Sequence, residues 1–317
     1  MHTRFWHALG ASALIAATPL AAWAGDSTGP GTFSASLGLL QLNADEIVYL
    51  YSGSSTELSH LFWSSTSPVL NADYTLHLPE GWTASVSGRL AGGPLGTGEM
   101  KDYDWISPPG DDYAFDNWTD RSISNNTLDY FVSVGLRLGH DLTFSDRLSG
   151  NVNVGIDYTD VKWTASGGDY IYSDGGFRND SGTFPDIPVI TYRQQWPALT
   201  GGLDLAYRLD AGVTLAAKAR VGMVFLGADR DVHVFTATQY DEAFDPAPVA
   251  ELGGEARFRL SSALDGVLAV NLKQIFTARG DTTMVDLTGT DPDEFYPDGA
   301  GGTLRELSLS AGISGQF

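Results

Sequence analysis

The stretch LDYFVSVGLRL, residues 128–138, alternates large apolar side chains with small or polar ones. One face of an extended strand would carry Leu128, Tyr130, Val132, Val134, Leu136 and Leu138. The opposite face would carry Asp129, Ser133, Gly135 and Arg137. Because successive side chains of a strand point to opposite faces, this period of two predicts a strand with one apolar and one polar face. The stretches LDLAYRL (203–209) and LSLSAGISGQF (307–317) repeat the pattern.

The first 24 residues differ from the rest of the chain. Arg4 is followed by the apolar run ALGASALIAATPLAAWA, which ends in the small-x-small pattern Ala22-Trp23-Ala24. This arrangement predicts a secretory signal peptide, residues 1–24, that is cleaved after Ala24. The mature chain, residues 25–317, is predicted to be exported and to form a single domain.

The composition narrows the class of protein. The chain of 317 residues has no cysteine, which excludes a disulfide framework and a thiol nucleophile. Its formal net charge of −21 at pH 7 disfavours nucleic acid and favours cationic partners. It contains 37 glycines and 15 phenylalanines, and no later apolar run approaches the length of a spanning helix. These features indicate an exported β protein.

The connections between the predicted strands alternate in length. Short ones are expected at residues 79–81, 139–146, 210–212 and 261–266. Long polar ones are expected at residues 50–57, 91–126, 166–188, 227–248 and 279–302. Short turns at one end and long loops at the other are typical of outer-membrane barrels. We therefore predict an all-β fold, a ten-stranded antiparallel transmembrane β-barrel with long extracellular loops. A soluble sandwich would also alternate, but the aromatic Phe317 at the end of the last strand favours the barrel.

The segment GADRDVHVF, residues 227–235, places Asp229, Asp231 and His233 on alternate positions. The preceding strand is predicted to turn its odd-numbered residues, Val213 to Phe225, toward lipid. An unbroken strand would therefore point the acids and the histidine outward as well. They face the interior only if the register slips, so we predict a β-bulge between Phe225 and Asp229, with Gly227 as its preferred site.

A pair of aspartates and an aspartate–histidine pair are predicted at the outer end of the barrel. Asp102 and Asp104, in EMKDYDW, alternate in the same way as Asp231 and His233. Neighbouring carboxylates resist simultaneous ionisation and can hold a proton or position a water, while a carboxylate beside a histidine stabilises the cationic ring. Facing each other, the pairs could activate a water for attack on a carbonyl, with His233 as general base. Either spacing taken alone is more often solvated surface or lumen lining.

The other histidines of the mature chain are assigned by the predicted topology. His77 and His140 lie beside short turns, where a structural role is expected. His60 begins the second predicted strand, near the outer rim.

Several stretches, in order along the chain, resemble the omptins, a family of ten-stranded outer-membrane aspartate–histidine endopeptidases. The matching stretches are ADEIVYLYSG, ELSHLFW, MKDYDW, NWTDRS, TASGGDYIYSDGGFRNDSGTFPD, GADRDVH, RGDTTMVD and DGAGG. The resemblance covers most of the mature chain. It implies a surface-facing endopeptidase that needs no metal and cleaves cationic peptides beside or between Arg and Lys.

The resemblance also implies roles for individual residues. The catalytic set would be Asp102, Asp104, Asp231 and His233, with the attacking water between the two pairs. Glu46 and Asp229 would receive the basic side chain of the substrate, and Ser122 would be auxiliary.

The chain departs from the omptin pattern where the family binds its activator, lipopolysaccharide, on the outer wall. The family has a Tyr-x-Glu-x-Arg alternation there, whereas this chain has Ile156, Tyr158 and Asp160. Arg193 and Lys162 lie nearby but out of register. The sequence therefore leaves open whether lipopolysaccharide is required.

Three other functions compete with proteolysis. A catalytically silent barrel could act as an adhesin or bind cationic peptides through its acidic loops. A pore is disfavoured, because an interior of about ten strands is largely filled by side chains. A barrel lipase would need a Ser–His pair; Ser122 is available, but no nucleophile motif surrounds it.

Overall fold

The computed structural model describes residues 31–209 and 212–316. The predicted signal peptide, residues 1–24, and the terminal Phe317 lie outside the described residues. The strands are β1 Gly31–Tyr49, β2 Glu57–His77, β3 Trp82–Ala91, β4 Thr97–Asp104, β5 Asp120–Thr143, β6 Leu148–Tyr172, β7 Asp180–Thr183, β8 Pro188–Arg208, β9 Val213–Val224, β10 Gly227–His233, β11 Thr238–Phe244, β12 Ala247–Arg259, β13 Leu264–Asp286 and β14 Glu294–Gln316. The 3-10 turns are Pro79–Gly81, Pro109–Asp111 and Phe115–Asn117.

The strands form one closed antiparallel sheet, as predicted. At the end with short turns, the ring runs β1–β2–β3–β5–β6–β8–β9–β12–β13–β14, and β14 pairs with β1 to close it. At the other end, β4 replaces β3 between β2 and β5, and β10 and β11 replace β9 and β12. Both levels therefore have ten strands, and the barrel is complete along its length.

The outer face near the short turns is the membrane-facing belt. In β14, Leu309 is 66% exposed whereas its neighbour Ser308 is 3% exposed, as the alternation of 307–317 predicts. Leu203 and Tyr207 of β8 are likewise turned outward. Within the described residues, no helix is long and apolar enough to cross a membrane.

The strands are much longer than a bilayer requires. Seven of them, β1, β2, β5, β6, β8, β13 and β14, have 19–25 residues. A transmembrane strand needs only about 9–11 residues. The upper half of the barrel, which bears the long hairpins, therefore stands above the membrane on the extracellular side.

The predicted face of Leu128 is wrong. Leu128 pairs with Trp163 and Tyr130 pairs with Lys162, so β5 advances two residues while β6 advances one. This bulge at Asp129 reverses the alternation, and Leu128 is fully buried inside the barrel while Tyr130 and the following even residues face outward. The strand β13 shifts its register in the same way between Ile275 and Ala278.

Four of the predicted long loops are also largely wrong, because they contain paired strand. Residues 91–126 include β4 and the start of β5, and residues 227–248 include β10 and β11. Residues 166–188 and 279–302 likewise contain β7 and the ends of β6, β13 and β14. Above the membrane the outer face of the sheet is exposed to water. These strands therefore lack the alternation of apolar and polar residues by which a strand is predicted from sequence.

An aromatic layer crosses the interior where β2 pairs with β4. The ring centroid of Trp63 on β2 lies 6.0 Å from that of Trp163 on β6 and 5.4 Å from that of Tyr192 on β8. The Nε1–H of Trp163 donates to Ser65 Oγ at 2.9 Å. We call Trp63, Trp163 and Tyr192 the aromatic floor; all three are fully buried.

The aromatic floor separates two different interiors. Apolar side chains surround it, namely Leu40, Leu42, Met100, Leu128, Phe131, Trp196, Ile275 and Leu304. Below it the barrel is lined by ion pairs such as Arg137–Asp157, with 2.7 Å between nitrogen and oxygen. We call the interior above it, between β4–β5 and β8–β10–β11, the groove.

The close approach of β4 to β2 requires glycine at position 98. A Cβ atom there would overlap the backbone carbonyl of Ser64, whereas a Cβ atom at Gly88 of β3 would meet nothing within 4 Å. We expect Gly98→Ala to displace β4 and to lower the free energy of unfolding by about 1–3 kcal/mol. Gly88→Ala should leave it unchanged. Urea unfolding in detergent micelles measures both, and equal midpoints for the two variants would contradict this account of β4.

Candidate active site

The predicted register slip is present and turns the acids of β10 inward. Val224 pairs with Ala198 of β8, whereas Ala228 pairs with Gln195. The chain from β9 to β10 therefore advances four residues while β8 advances three. The extra residue lies at the break between β9 and β10, as predicted. The backbone there is left-handed at Leu226, with φ of 53°, rather than at Gly227. Asp229 and Asp231 are consequently buried inside the barrel.

Asp231 and His233 form an ion pair in the groove. The distance between His233 Nε2 and Asp231 Oδ2 is 2.6 Å, and Asp231 is 0% exposed. Burial alone would lower the pKa of His233, but the charge and hydrogen bond of Asp231 raise it to about 9. The imidazole also packs edge-to-face on Tyr240, with ring centroids 5.5 Å apart. The histidine is therefore fixed in orientation and holds its proton tightly.

Asp102 and Asp104 lie on β4, a strand rather than the predicted loop, and both point into the groove. Asp102 is directly opposite Ser122 of β5, and Asp104 is opposite Ser59 of β2, which hydrogen-bonds to it. Burial, followed by the charge of Asp104, raises the pKa of Asp102 well above its usual range. Burial raises the pKa of Asp104 to about 6. The pair therefore retains a proton more readily than exposed aspartates would.

The two pairs act on each other across the groove. The charges of Asp102 and Asp104 both raise the pKa of His233, and the charge of Asp231 raises that of Asp102. β4 and β10 belong to opposite walls, separated by β5, β6 and β8. The structure thus brings together the four residues singled out as catalytic from the sequence.

Glu46 and Asp229 lie together near the aromatic floor, with a third acid that sequence reasoning missed. Glu242 of β11 pairs directly across from Asp229, and burial raises the pKa of all three carboxyl groups, that of Asp229 to about 7. The Tyr192 hydroxyl donates to Asp229 Oδ2 at 2.7 Å. We call Glu46, Asp229 and Glu242 the acidic pocket. The alternation of Tyr240, Glu242 and Phe244 in TQYDEAF could have revealed the third acid.

The remaining predicted residues are distributed as follows. Ser122 is buried beside Asp102. His60 lies near the rim, on the side of β2 opposite Leu61, with Nδ1 2.9 Å from Glu57 Oε2 and Nε2 3.5 Å from Asp45 Oδ1. His77 and His140 lie at the end with short turns. In residues 31–209 and 212–316, no group of three or more acids and histidines is arranged to hold a metal ion.

Comparison with known proteins identifies the family. The model of the omptin family matches residues 30–317. The chain is 28% identical over 304 residues to the outer membrane protease OmpP of Escherichia coli K12, covering 93% of each protein. It is 24% identical over 297 residues to the plasminogen activator of Yersinia pestis, covering 90% of this chain and 89% of that protein.

A solved structure gives the same fold. The crystal structure of the outer membrane protease OmpT from Escherichia coli superimposes with a TM-score of 0.82 at 22% identity, covering 92% of this chain and 99% of that one. The match of the family model over nearly the whole chain, the curated relatives and the ten-stranded barrel agree. The chain therefore belongs to the omptin family of outer-membrane β-barrel proteases.

Proposed function

We propose that this omptin is an aspartic-type endopeptidase whose groove faces the cell exterior and that it cleaves peptides beside Arg or Lys. The observation that carries the proposal is the convergence of two pairs from opposite walls, Asp102 with Asp104 and Asp231 with His233, on one groove. A water held between them would be the nucleophile.

The proposed chemistry uses each pair for a different task. Asp231 binds Nε2 of His233, so in the neutral form of the ring, the form that acts as base, Nδ1 is the nitrogen available to the water. As the water oxygen bonds to the scissile carbonyl carbon, its proton passes to Nδ1, and the carboxylate of Asp231 stabilises the imidazolium. The imidazolium then protonates the departing amine nitrogen as the C–N bond breaks. The proton retained by Asp102 and Asp104 is available to hydrogen-bond the developing oxyanion.

The acidic pocket supports the preference for basic residues. Its carboxyl groups are buried near the groove, and a guanidinium or ammonium group would relieve their mutual repulsion. The formal net charge of −21 would also attract cationic peptides to the groove, less strongly at high salt.

On the outer wall, near the place implied for lipopolysaccharide, two cations are held by carboxylates. Arg193 bonds Asp160 through Nε at 2.9 Å and Nη2 at 2.5 Å, and Lys162 lies 3.6 Å from Asp129. Both cations are thus paired with carboxylates, with which a lipid phosphate would have to compete. We propose that this omptin does not require lipopolysaccharide.

His233→Ala should abolish most of the cleavage of a dibasic fluorogenic peptide. General-base catalysis is worth about 10²–10⁴-fold in rate, so kcat should fall by that factor. His60→Ala is the matched control, because His60 also contacts two acids but lies outside the groove. Unchanged cleavage by His233→Ala would remove this residue from the mechanism. Binding without cleavage by the wild type would favour the cationic-peptide binder.

The rate of cleavage by the wild type should depend on pH through His233. Its pKa of about 9 means that the protonated ring predominates below that pH, and the basic form increases as the pH rises through it. We therefore expect kcat/KM to rise from pH 6 toward pH 9, as measured in buffers of constant ionic strength. A profile that falls over this range would contradict His233 as the general base.

Asp229→Asn should weaken the binding of Arg substrates specifically. Removing one member of a buried charge pair costs about 2 kcal/mol or more, which is about 30-fold in KM. Asp241→Asn, on the outward face of β11 where Asp241 pairs with Arg230, should leave KM unchanged. Steady-state kinetics are measured with one peptide that has Arg at the cleaved bond and one that has a neutral residue there. A larger loss on the Arg peptide shows that Asp229 acts in specificity. Equal losses on both peptides would exclude a role in specificity.

Protein refolded in synthetic detergent should be active without lipopolysaccharide. Because Arg193 and Lys162 are already paired, added lipopolysaccharide should leave kcat/KM unchanged. Activity that appears only after its addition would show that these ion pairs open to admit phosphate.

A further inference from the structure

Glu242 is a buried acid to which the catalytic scheme assigns no task. It is 3% exposed and lies directly across from Asp229 in the pairing of β10 with β11. Its Oε1 accepts a hydrogen bond from Thr282 Oγ1 at 3.1 Å, while its Oε2 has no partner. A buried carboxyl oxygen without a partner is costly, so its retention requires a physical reason.

All three acids of the acidic pocket share this property. One oxygen of each, Glu46 Oε2, Asp229 Oδ1 and Glu242 Oε2, is buried without a hydrogen-bond partner. Among residues 31–209 and 212–316, the charges that act most strongly on these groups are those of other acids. Acids, not cations, therefore dominate the electrostatics of the pocket, and a cationic ligand would relieve their repulsion.

Three buried carboxylates around one monovalent cation would leave two negative charges uncompensated. Retaining one proton reduces that excess to a single charge, as in acid pairs that share a proton. The carboxyl groups of Glu242 and Asp229 lie within hydrogen-bonding reach of each other. Asp229 also accepts from the Tyr192 hydroxyl, so two donors stabilise its ionised form, and Glu242 is the better place for the proton.

We propose that Glu242 is a positioning residue, whose protonated carboxyl group donates a hydrogen bond to Asp229 and directs that carboxylate toward the basic side chain of the substrate. The inference rests on the proposed function of the acidic pocket. Glu242 thus acts through Asp229 and carries no charge of its own when the cation is bound. Three acids interact electrostatically with Glu242, namely Asp229 and Asp231 of β10 and Glu46 of β1.

Two substitutions of Glu242 distinguish a donor from a charge. Glu242→Gln keeps a donor for Asp229 and an acceptor for Thr282 but cannot ionise, whereas Glu242→Leu removes both polar groups at similar volume. We expect the Gln variant to keep the wild-type KM for an Arg peptide. The Leu variant should raise KM about tenfold with kcat unchanged, the loss expected for one hydrogen bond to a charged group. Asp241→Asn, from the outward face of the same strand, is the control.

The outcomes separate cleanly. Equal impairment of the Gln and Leu variants would show that the charge of Glu242 is needed and would overturn the proposal. Wild-type KM in the Leu variant would overturn it as well. Far-UV circular dichroism and urea midpoints establish that both variants are folded before kinetics are compared.

A binding measurement keeps the inference separate from catalysis. Agmatine, which carries the guanidinium group of arginine, should raise the thermal midpoint of the wild type and of Glu242→Gln, and much less that of Glu242→Leu. If the wild type cleaves no basic peptide but shows this pattern, the proposed protease function fails while the role of Glu242 stands. Absence of an agmatine shift in the wild type would overturn the inference.

Discussion

One extra residue between β9 and β10 decides on which side of the barrel wall the acids and the imidazole lie. A strand alternates strictly, so Asp229, Asp231 and His233 would otherwise continue the outward row that ends at Phe225. The left-handed backbone at Leu226 absorbs the extra residue and reverses the faces. The groove depends on this local irregularity, because no side-chain rotation could carry a carboxylate through the sheet.

The register shift buries Asp229 and Asp231 inside the barrel. Asp102 meets the charge of Asp231 across the groove, and Glu46 meets that of Asp229 deeper down. Desolvation and like charge both raise the pKa of Asp102 and of Glu46, whereas the charge and hydrogen bond of Asp231 raise the pKa of His233. Acids that retain protons thus lie next to the position proposed for the peptide bond. The carboxyl oxygens of the acidic pocket that have no hydrogen-bond partner are available to bind a cation.

The fold and the candidate site were predictable from the sequence to different degrees. The membrane level was clear, because lipid outside and ion pairs inside enforce alternation, as in residues 203–209 and 307–313. Above the membrane both faces are polar, so the sequence pattern predicts loops where the structure has β4, β7, β10 and β11. The bulge before Asp229 was predictable because the role expected of Asp231 and His233 requires them to face the interior. No expected role of a residue near Asp129 pointed to the bulge there. Glu242 was missed because its partners come from other strands.

The aromatic floor has a consequence for how the barrel interior is divided. Trp63 of β2 meets the cross-strand neighbours Trp163 of β6 and Tyr192 of β8, all three are fully buried, and their rings fill the passage between the groove and the charged lumen. The proposed protease site and the membrane-level lumen are thus separate compartments of one barrel, and peptides held above the floor would stay on that side of it.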